Sequence, residues 1–142
     1  MKLKRLSKTQ NTNTQSSYCV WGVMSGEDCQ ALDFLFFGQA SYQAFRDGLL
    51  VYIEAIEEFG LSDETNSFYK IAHRDAKSGH IFEFKKGDLR LFFFKGHGKD
   101  VVICTDGVIK KTNKVDSKKI NAALRMRNDY WDDHKNNNIT YE

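Results

Sequence analysis

The stretch HIFEFKKGDLRLFFF, residues 80–94, decides the fold of this chain. It contains two runs dominated by Phe, Leu and Ile, separated by the polar connector 86–88. Aromatic and branched apolar residues favour strands, and a short glycine-containing connector between two such runs is typical of an antiparallel hairpin. We therefore predict strands at His80–Lys85 and Leu89–Lys95.

Two more runs extend this strand pattern. Val101–Thr105 follows the glycine-containing connector 96–99 and completes a three-stranded antiparallel meander. Tyr18–Met24 combines aromatic and β-branched residues and predicts the first strand of the chain. We therefore expect one strand before the helical region and three after it.

The region from Ser41 to Phe59 has the clearest helical periodicity. Its apolar residues recur at helical spacing on one face, and Gly60 is placed to end the helix. The members of this stripe are Phe45, Leu49, Tyr52, Ile53, Ile56 and Phe59. The pattern predicts a helix packed against the sheet.

Two shorter patterns also predict helices. Residues 25–28, Ser-Gly-Glu-Asp, have capping-box spacing and predict a helix that extends to Phe37 and is closed by Gly38. Ser62 is placed to cap another short helix. The apolar members of that helix are Phe68, Ile71 and Ala72.

The last predicted helix follows the meander. Asp116 or Ser117 is placed to cap it. Its inward stripe comprises Ile120, Ala123, Leu124 and Trp131. This order of elements predicts an α+β fold in which the helices pack on one face of a small curved antiparallel sheet, with a helix at the C-terminus.

A chain of 142 residues with 41% hydrophobic residues suits one globular domain, which we assign to residues 18–135. Residues 1–17 contain a polar low-complexity stretch and are expected to form a flexible basic leader. Residues 136–142 are expected to form a short polar tail. A contact between the leader's cations and nucleic acid stays open.

The sequence indicates a cytoplasmic protein. No apolar run approaches the roughly 18 to 20 residues of a membrane span, and the basic start leads into a polar tract rather than a signal-peptide core. Cys19, Cys29 and Cys104 are widely spaced and form no CxxC pair, which argues against a disulfide framework and a zinc site. We interpret them as core residues and expect no cofactor or metal.

The net charge of +2 conceals two halves of opposite sign. Residues 26–65 hold nine acidic residues against Arg46 alone, a net charge of −8. Residues 66–119 hold thirteen Lys and Arg against six Asp and Glu, a net charge of +7. Such asymmetry favours one surface for a polyanion, although chance clustering on a solvated surface is the alternative.

Residues 80–94 resemble the paired-strand segment of RelE-like toxins, specifically of their HigB branch. Downstream, residues 101–104 and 107–114 are similar to the strand and the paired-lysine run that precede the last helix of this branch. The upstream matches, in the same order, are Asp33-Phe34-Leu35, the Gly60 turn and Tyr69-Lys70-Ile71. The resemblance covers residues 18–130.

The resemblance implies a RelE-like fold and the toxin of a type II toxin–antitoxin pair, encoded by a bacterium or a phage. Its partners would be a cognate antitoxin protein, the ribosome and mRNA, which such toxins cleave in the ribosomal A site. Cleavage of RNA without a metal needs a base for the 2′-OH proton, cations at the crowded phosphate, and an acid or cation at the leaving 5′-oxygen.

Arg90 and Lys85 align with the family's arginines that bind and stabilise the phosphate in the transition state. Arg90 is the stronger candidate because a guanidinium presents a fork of fixed donors that grips two phosphate oxygens. An ion pair with Glu83 or Asp88 across the hairpin is the alternative.

Lys110 and Lys111 match the family's paired lysines, which implies contact with the RNA backbone and, for Lys111, with the scissile phosphate. A solvated turn is the alternative for either residue alone. Other cations that we expect to bind RNA are Lys86, Lys114, Lys118 and Lys119.

Tyr130 and His134 are the candidates for proton transfer. They lie four residues apart, so both share one face of a helix, and histidine titrates near neutral pH. Trp131 either packs in the core or stacks on a base. His73 is a further candidate for RNA contact.

Two other functions stay open. Toxins of the ParE group resemble this chain in architecture but act by binding DNA gyrase, and an inhibitor that only binds the ribosome or RNA would use the same basic surface. Glu83 occupies a position that is basic in the RelE branch proper, which favours the HigB variant of the site or a weakened nuclease.

Overall fold

The computed structural model describes residues 1–6, 19–98, 101–112 and 116–142. These residues form three α-helices, α1 (Gln30–Phe36), α2 (Gln43–Phe59) and α3 (Ser117–Lys135), and single 3-10 turns at Ala40–Tyr42 and Asn66–Phe68. The strands among them are β1 (Lys2–Arg5), β2 (Cys19–Ser25), β3 (Asp28–Cys29), β4 (Tyr69–His73), β5 (Ile81–Lys86), β6 (Leu89–Lys95), β7 (Val101–Ile109) and β8 (Thr140–Tyr141).

The strands form one open, mixed sheet in the order β4-β5-β6-β7-β2-β1-β8, with β3 paired to β2. β4 to β7 are antiparallel neighbours, as the meander predicts. The prediction of an antiparallel sheet is nevertheless wrong, because β2 pairs parallel with β7 and β8 pairs parallel with β1. Parallel neighbours are joined by long crossovers rather than by tight turns, so local turn signals do not reveal them.

Helices cover both faces of the sheet, which corrects the prediction of one covered face. Leu89, Leu91 and Phe93 of β6 belong to the core that packs against α1 and α2. Phe92 and Phe94 of the same strand belong to a second core, under α3. Side chains alternate between the faces of a strand, so the continuous run of phenylalanines fits a strand that is buried on both sides.

Helix α2 follows its prediction closely. Leu49, Ile53 and Ile56 are at most 1% exposed, and the helix ends at Gly60, whose φ of 70° is the left-handed conformation that favours glycine. Phe59 lies outside the buried stripe and is 48% exposed.

Both shorter helix predictions are wrong in part. Ser25 pairs with Asp28 in a tight β2–β3 hairpin, and α1 starts after Cys29 without a side-chain cap. Beyond Ser62, the chain forms one 3-10 turn and then the edge strand β4. This segment pairs with β5 and does not form a helix, because Tyr69 and Ile71, two residues apart, both pack on the core under α2.

The first six residues belong to the sheet instead of a flexible leader. β1 pairs antiparallel with β2, and Leu3 and Leu6 are fully buried. The expected tail likewise contributes β8, which pairs with β1. Burial of these two leucines stabilises the pairing of β1 with the sheet, whereas the polar stretch after them has no comparable apolar area to bury. Residues 7–17 of the expected leader lie outside the described residues.

Helix α3 begins as predicted, because the Asp116 carboxylate accepts a hydrogen bond from the Lys119 backbone N–H at 3.0 Å. Ile120, Ala123 and Tyr130 form its buried stripe, whereas Trp131 is 37% exposed and lies outside it. Within the described part of the chain, no helix is long and apolar enough to cross a membrane.

Two of the three cysteines take the predicted core positions. Cys29 and Cys104 are free and buried. Burial raises the pKa of both thiols, which keeps them protonated and unreactive. The side chain of Cys19 lies outside the described residues.

Candidate functional site

The β5–β6 hairpin places the two predicted phosphate-binding residues side by side. Lys85 of β5 pairs with Arg90 of β6, and Arg90 pairs in turn with Val108 of β7. The side chains of directly paired residues share a face of the sheet, which here is the face that α3 partly covers. Glu83 lies two residues from Lys85 and therefore points to the same face.

Arg90 is buried and tied to its own hairpin. Its Nη1 donates hydrogen bonds to the carbonyl oxygens of Gly87 at 2.7 Å and Leu89 at 2.9 Å. Its Nε lies 3.6 Å from the Glu83 carboxylate, and the residue is 8% exposed. The ion pair that the sequence left open as the alternative therefore forms. The guanidinium is paired with Glu83 and does not present an open fork to solvent.

Glu83 is the centre of this arrangement. It is 5% exposed, and its other carboxylate oxygen lies 3.6 Å from the Lys70 ammonium. It lines a groove of about 200 Å³ between β4–β7 and the start of α3, together with Lys70, Lys110 and Asp116. We call this feature the Glu83 groove. The Glu83 carboxylate can accept a proton, and the cationic side chains around it can donate hydrogen bonds to an anion.

The paired lysines lie at the mouth of this groove. The Lys110 backbone N–H donates to the Asp88 carbonyl at 2.6 Å, which fixes the end of β7 beside the β5–β6 turn. Lys110, Lys111 and Lys118 line an adjoining cavity of about 430 Å³. These three cations therefore lie close together, and their contact with RNA stays a prediction. Lys85 is exposed at the same end of the hairpin.

Two other predicted RNA-binding residues, Lys86 and Lys119, do not join the groove. Lys86 lies on the opposite face, where its ammonium is 5.7 Å from the centroid of the Tyr52 ring. Lys119 is ion-paired with Asp106. Lys114 lies outside the described residues. Alternation along β5 explains Lys86, because neighbours in a strand point to opposite faces.

Tyr130 and His134 share one helix face as predicted, with ring centroids 6.0 Å apart. They nevertheless lie at the other end of the sheet from Arg90. The Tyr130 hydroxyl accepts a hydrogen bond from the backbone N–H of His97, in the β6–β7 hairpin, at 2.9 Å. Lys95 follows Arg90 by five positions along β6, so the two ends are roughly 17 Å apart at about 3.4 Å per residue.

The end of the sheet near Tyr130 carries aromatic and histidine side chains. Tyr130 is 1% exposed, and burial raises the pKa of its hydroxyl although the His97 N–H opposes that shift. His97 and His134 stack with ring centroids 4.3 Å apart. His73 pairs with Ile81 at the same end. The structure therefore does not bring Tyr130, His134 or His73 to the Glu83 groove.

Sequence reasoning missed two members of the groove. Lys70 fell in a predicted helix, and its pairing with Glu83 exists only because β4 is a strand. In the sequence, Glu83 stands out as an ion-pair partner for Arg90 and as a departure from the RelE branch, and not as a proton acceptor. The available signal was the placement of a lone carboxylate among apolar residues of a strand, since buried acids are paired or functional.

Among the described residues, no group of three or more His, Cys, Asp or Glu side chains is arranged to hold a metal ion.

The chain matches a known protein family. The family model described as phage derived protein Gp49-like (DUF891) matches residues 40–128, more than half of the chain. The matched segment contains the whole Glu83 groove, whereas Tyr130 and His134 lie beyond its last residue. No curated protein matches the chain.

Proposed function

Because this chain belongs to the phage-derived Gp49-like family, which is part of the RelE/HigB-like toxin superfamily of toxin–antitoxin systems, we propose that it is the toxin of such a pair. Its protein partner is then a cognate antitoxin that neutralises it. Family membership supports the toxin class, and the chemistry of the Glu83 groove supports a specific activity.

That activity is cleavage of mRNA on the ribosome. The observation that carries it is the Glu83 carboxylate, held at 3.6 Å from both Lys70 and Arg90 on the floor of a groove that Lys110 also lines. An RNA strand is a polyanion with a reactive 2′-OH beside every phosphate. The groove offers both the cations that attract the phosphate and a carboxylate that can accept the hydroxyl proton.

The proposed reaction is an attack by the 2′-oxygen on the neighbouring phosphorus. Glu83 takes the 2′-OH proton, the new oxygen–phosphorus bond forms, and the bond to the 5′-oxygen breaks. The Lys110 ammonium donates a proton to the leaving 5′-oxygen, so the products are a 2′,3′-cyclic phosphate and a 5′-hydroxyl. Lys85 and Lys111 stabilise the charge that develops on the phosphate oxygens.

Arg90 acts in this scheme as a positioning residue. Its two hydrogen bonds to the hairpin carbonyls fix the guanidinium, and the guanidinium fixes Glu83. A carboxylate already aligned for proton transfer loses little freedom on reaching the transition state. Arg90 therefore contributes through Glu83, while the accessible lysines contact the RNA.

The test is primer extension on mRNA from a translation reaction with purified ribosomes. We expect cuts at codon boundaries with the wild-type protein and strongly reduced cutting with Lys110→Ala. Lys135→Ala, which removes the same charge from the exposed end of α3, should cut normally. Cuts without ribosomes would replace the ribosome-dependent activity with that of a free ribonuclease. Intact mRNA in every lane would overturn the nuclease and favour a gyrase-binding or ribosome-binding toxin.

A further inference from the structure

A second cleft lies at the end of the sheet that the proposed reaction does not use. It has a volume of about 680 Å³ and lies between the β4–β5 loop, the end of β6 and α3. Its walls include Lys77 from the loop, Lys95 from β6, and Asn128, Trp131 and Asp132 from α3. We call it the Trp131 cleft. Its volume falls within the range of small-molecule sites, roughly 300 to 1,000 Å³.

Trp131 is an exposed aromatic ring held in a fixed position. Three neighbouring rings pack against it with their planes nearly perpendicular to its own. The centroid distances are 5.1 Å to Tyr130, 5.6 Å to His134 and 6.4 Å to His97. The residue is nevertheless 37% exposed and lines the cleft. A large ring packed on one side and open on another is suited to stacking a planar ligand.

The polar wall of the cleft is also preorganised. Arg127 donates to the Asn128 side-chain oxygen from Nε at 3.1 Å and from Nη2 at 2.9 Å. Arginine only donates hydrogen bonds, so the Asn128 amide directs its NH₂ group away from Arg127. Arg127 also donates from Nη1 to Asp75 at 2.9 Å and to the Gly79 carbonyl at 2.7 Å, which ties the β4–β5 loop to α3.

The cleft therefore combines a ring, a donor, an acceptor and a cation. Asn128 supplies the donor, and the Asp132 carboxylate supplies the acceptor. Lys77 is exposed at its rim and matches a phosphate, whereas the Lys95 ammonium lies over the Phe82 ring, 4.9 Å from its centroid, on the other face of the sheet. Aromatic platforms beside cations are how proteins hold single-stranded nucleic acid, because every base has a face to stack and every nucleotide has a charge.

We propose that the Trp131 cleft binds a purine base of single-stranded RNA, stacked on Trp131, with its phosphate at Lys77. Purines offer the larger stacking face, and guanine presents two adjacent N–H donors to the Asp132 carboxylate and an acceptor to Asn128. The inference rests on the proposed function for the identity of the strand. It adds a base-reading contact several nucleotides from the phosphate in the Glu83 groove.

Tryptophan fluorescence provides the direct test, since the chain contains only two tryptophans. In a Trp21→Phe variant, Trp131 is the sole tryptophan, and the substituted residue lies elsewhere, against Tyr141. We expect saturable quenching by mononucleotides, with GMP binding most tightly, then AMP, then CMP and UMP. Asp132→Asn should remove the preference for GMP. Absence of quenching, or equal competition by inorganic pyrophosphate, would overturn the proposal.

A kinetic comparison separates this inference from the proposed function. Trp131→Leu should raise the KM for RNA roughly tenfold with little change in kcat, because base stacking contributes binding rather than chemistry. Phe37→Ala, which removes the most exposed aromatic side chain of the described residues on another part of the surface, should change neither. An unchanged KM in Trp131→Leu would contradict the cleft alone. Quenching by GMP in a protein that cleaves no RNA would instead retain the cleft and overturn the nuclease.

Discussion

The two faces of the sheet are built from the same strands but are covered by different numbers of helices. α1 and α2 cover one face, where β5 and β6 contribute Phe82, Phe84, Leu91 and Phe93. On the other face α3 is the only α-helix within the described residues, and it packs on Phe92 and Phe94. The groove opens beside the start of α3, where Glu83 of β5 and Arg90 of β6 take positions equivalent to those core residues.

This difference shows how one fold combines a closed apolar core with an open, charged groove. Two helices exclude water from a face made of phenylalanine and leucine, and burial of that apolar area stabilises the domain. One helix leaves part of the opposite face open, and charged side chains can remain there because they are paired with one another. Substitutions on the two faces should therefore have separable effects on stability and on cleavage.

The largest effect is expected from Arg90→Ala. The substitution removes the buried cation that pairs with the Glu83 carboxylate. Breaking a buried ion pair lowers the free energy of unfolding by about 3 to 5 kcal/mol. We expect cleavage to fall by about 100-fold or more, since a positioned base contributes roughly that factor. Urea unfolding and single-turnover cleavage measure the two effects.

Arg46→Ala is the matched control for Arg90→Ala. Arg46 is also a buried arginine, 4% exposed, but it lies on α2 and donates to Gln43 at 2.8 Å. Its substitution should lower the free energy of unfolding while leaving the cleavage rate of the folded protein unchanged. Equal loss of cleavage in both variants would mean that Arg90 acts only through stability. Arg90→Lys, which keeps the charge, should recover part of the rate.

Gly107→Ala should affect stability alone. A Cβ at this position of β7 would lie 2.3 Å from the Phe34 ring of α1, so the helix must shift. Overpacking of this kind costs about 1 to 3 kcal/mol. We expect a lower unfolding midpoint in urea and normal cleavage below it. A cleavage defect without a stability defect would contradict the expectation that substitutions on the α1–α2 face change only stability.

Lys70→Ala and Lys2→Ala form a smaller matched pair. Each lysine lies on a strand and pairs with a glutamate, Lys70 with Glu83 at 3.6 Å and Lys2 with Glu142 at 3.5 Å. Only Lys70→Ala should weaken RNA binding, and the salt slope of log K should fall by about 0.7 for the lost phosphate contact. Binding titrations at several salt concentrations test this. The same slope in both variants would exclude a phosphate contact at Lys70.

The smallest effect is a pH dependence on the α1–α2 face. Glu57 of α2 is 3% exposed, accepts a hydrogen bond from the Val20 N–H at 2.9 Å and pairs with Arg5 at 3.3 Å. Burial outweighs these contacts and raises the pKa of Glu57 above its ordinary value of 4.5. The unfolded chain therefore releases this proton at lower pH than the folded protein does.

It follows that the contribution of Glu57 to the free energy of unfolding falls as pH rises from 4.5 through its folded-state pKa. Glu57→Gln does not titrate and lacks this decline. Urea unfolding of both proteins from pH 4.5 to about 7 should show the wild type losing stability relative to the variant. A relative gain with rising pH would mean that the ion pair with Arg5 outweighs burial.

The sequence predicted the elements whose periodicity is strong and local. The stripe of α2 and the hairpins from β5 to β7 need only neighbouring residues to define them. β1 was missed because two leucines beside a polar tract give no local signal, and their burial depends on pairing with β2. The parallel pairing of β2 with β7 joins segments about 80 residues apart along the chain, which turn chemistry does not encode.

For the candidate site, the structure brings together some of the residues that the sequence singles out and separates others. Lys85, Arg90, Lys110 and Lys111 do meet at one end of the sheet. Tyr130 and His134 were placed on the correct helix face, but where that face lies along the sheet depends on tertiary packing. The proposed role of Glu83 required the strand β4, which brings Lys70 beside it.

Glu83→Gln in the primer-extension assay with ribosomes tests the central proposal most directly. The amide keeps the size of the side chain and removes its capacity to take a proton. Glu58→Gln on the exposed face of α2 is the charge-matched control. We expect codon-boundary cuts to fall by about 100-fold in Glu83→Gln and to persist in Glu58→Gln. Wild-type cutting by a folded Glu83→Gln protein would contradict the assignment of the groove as the reactive site.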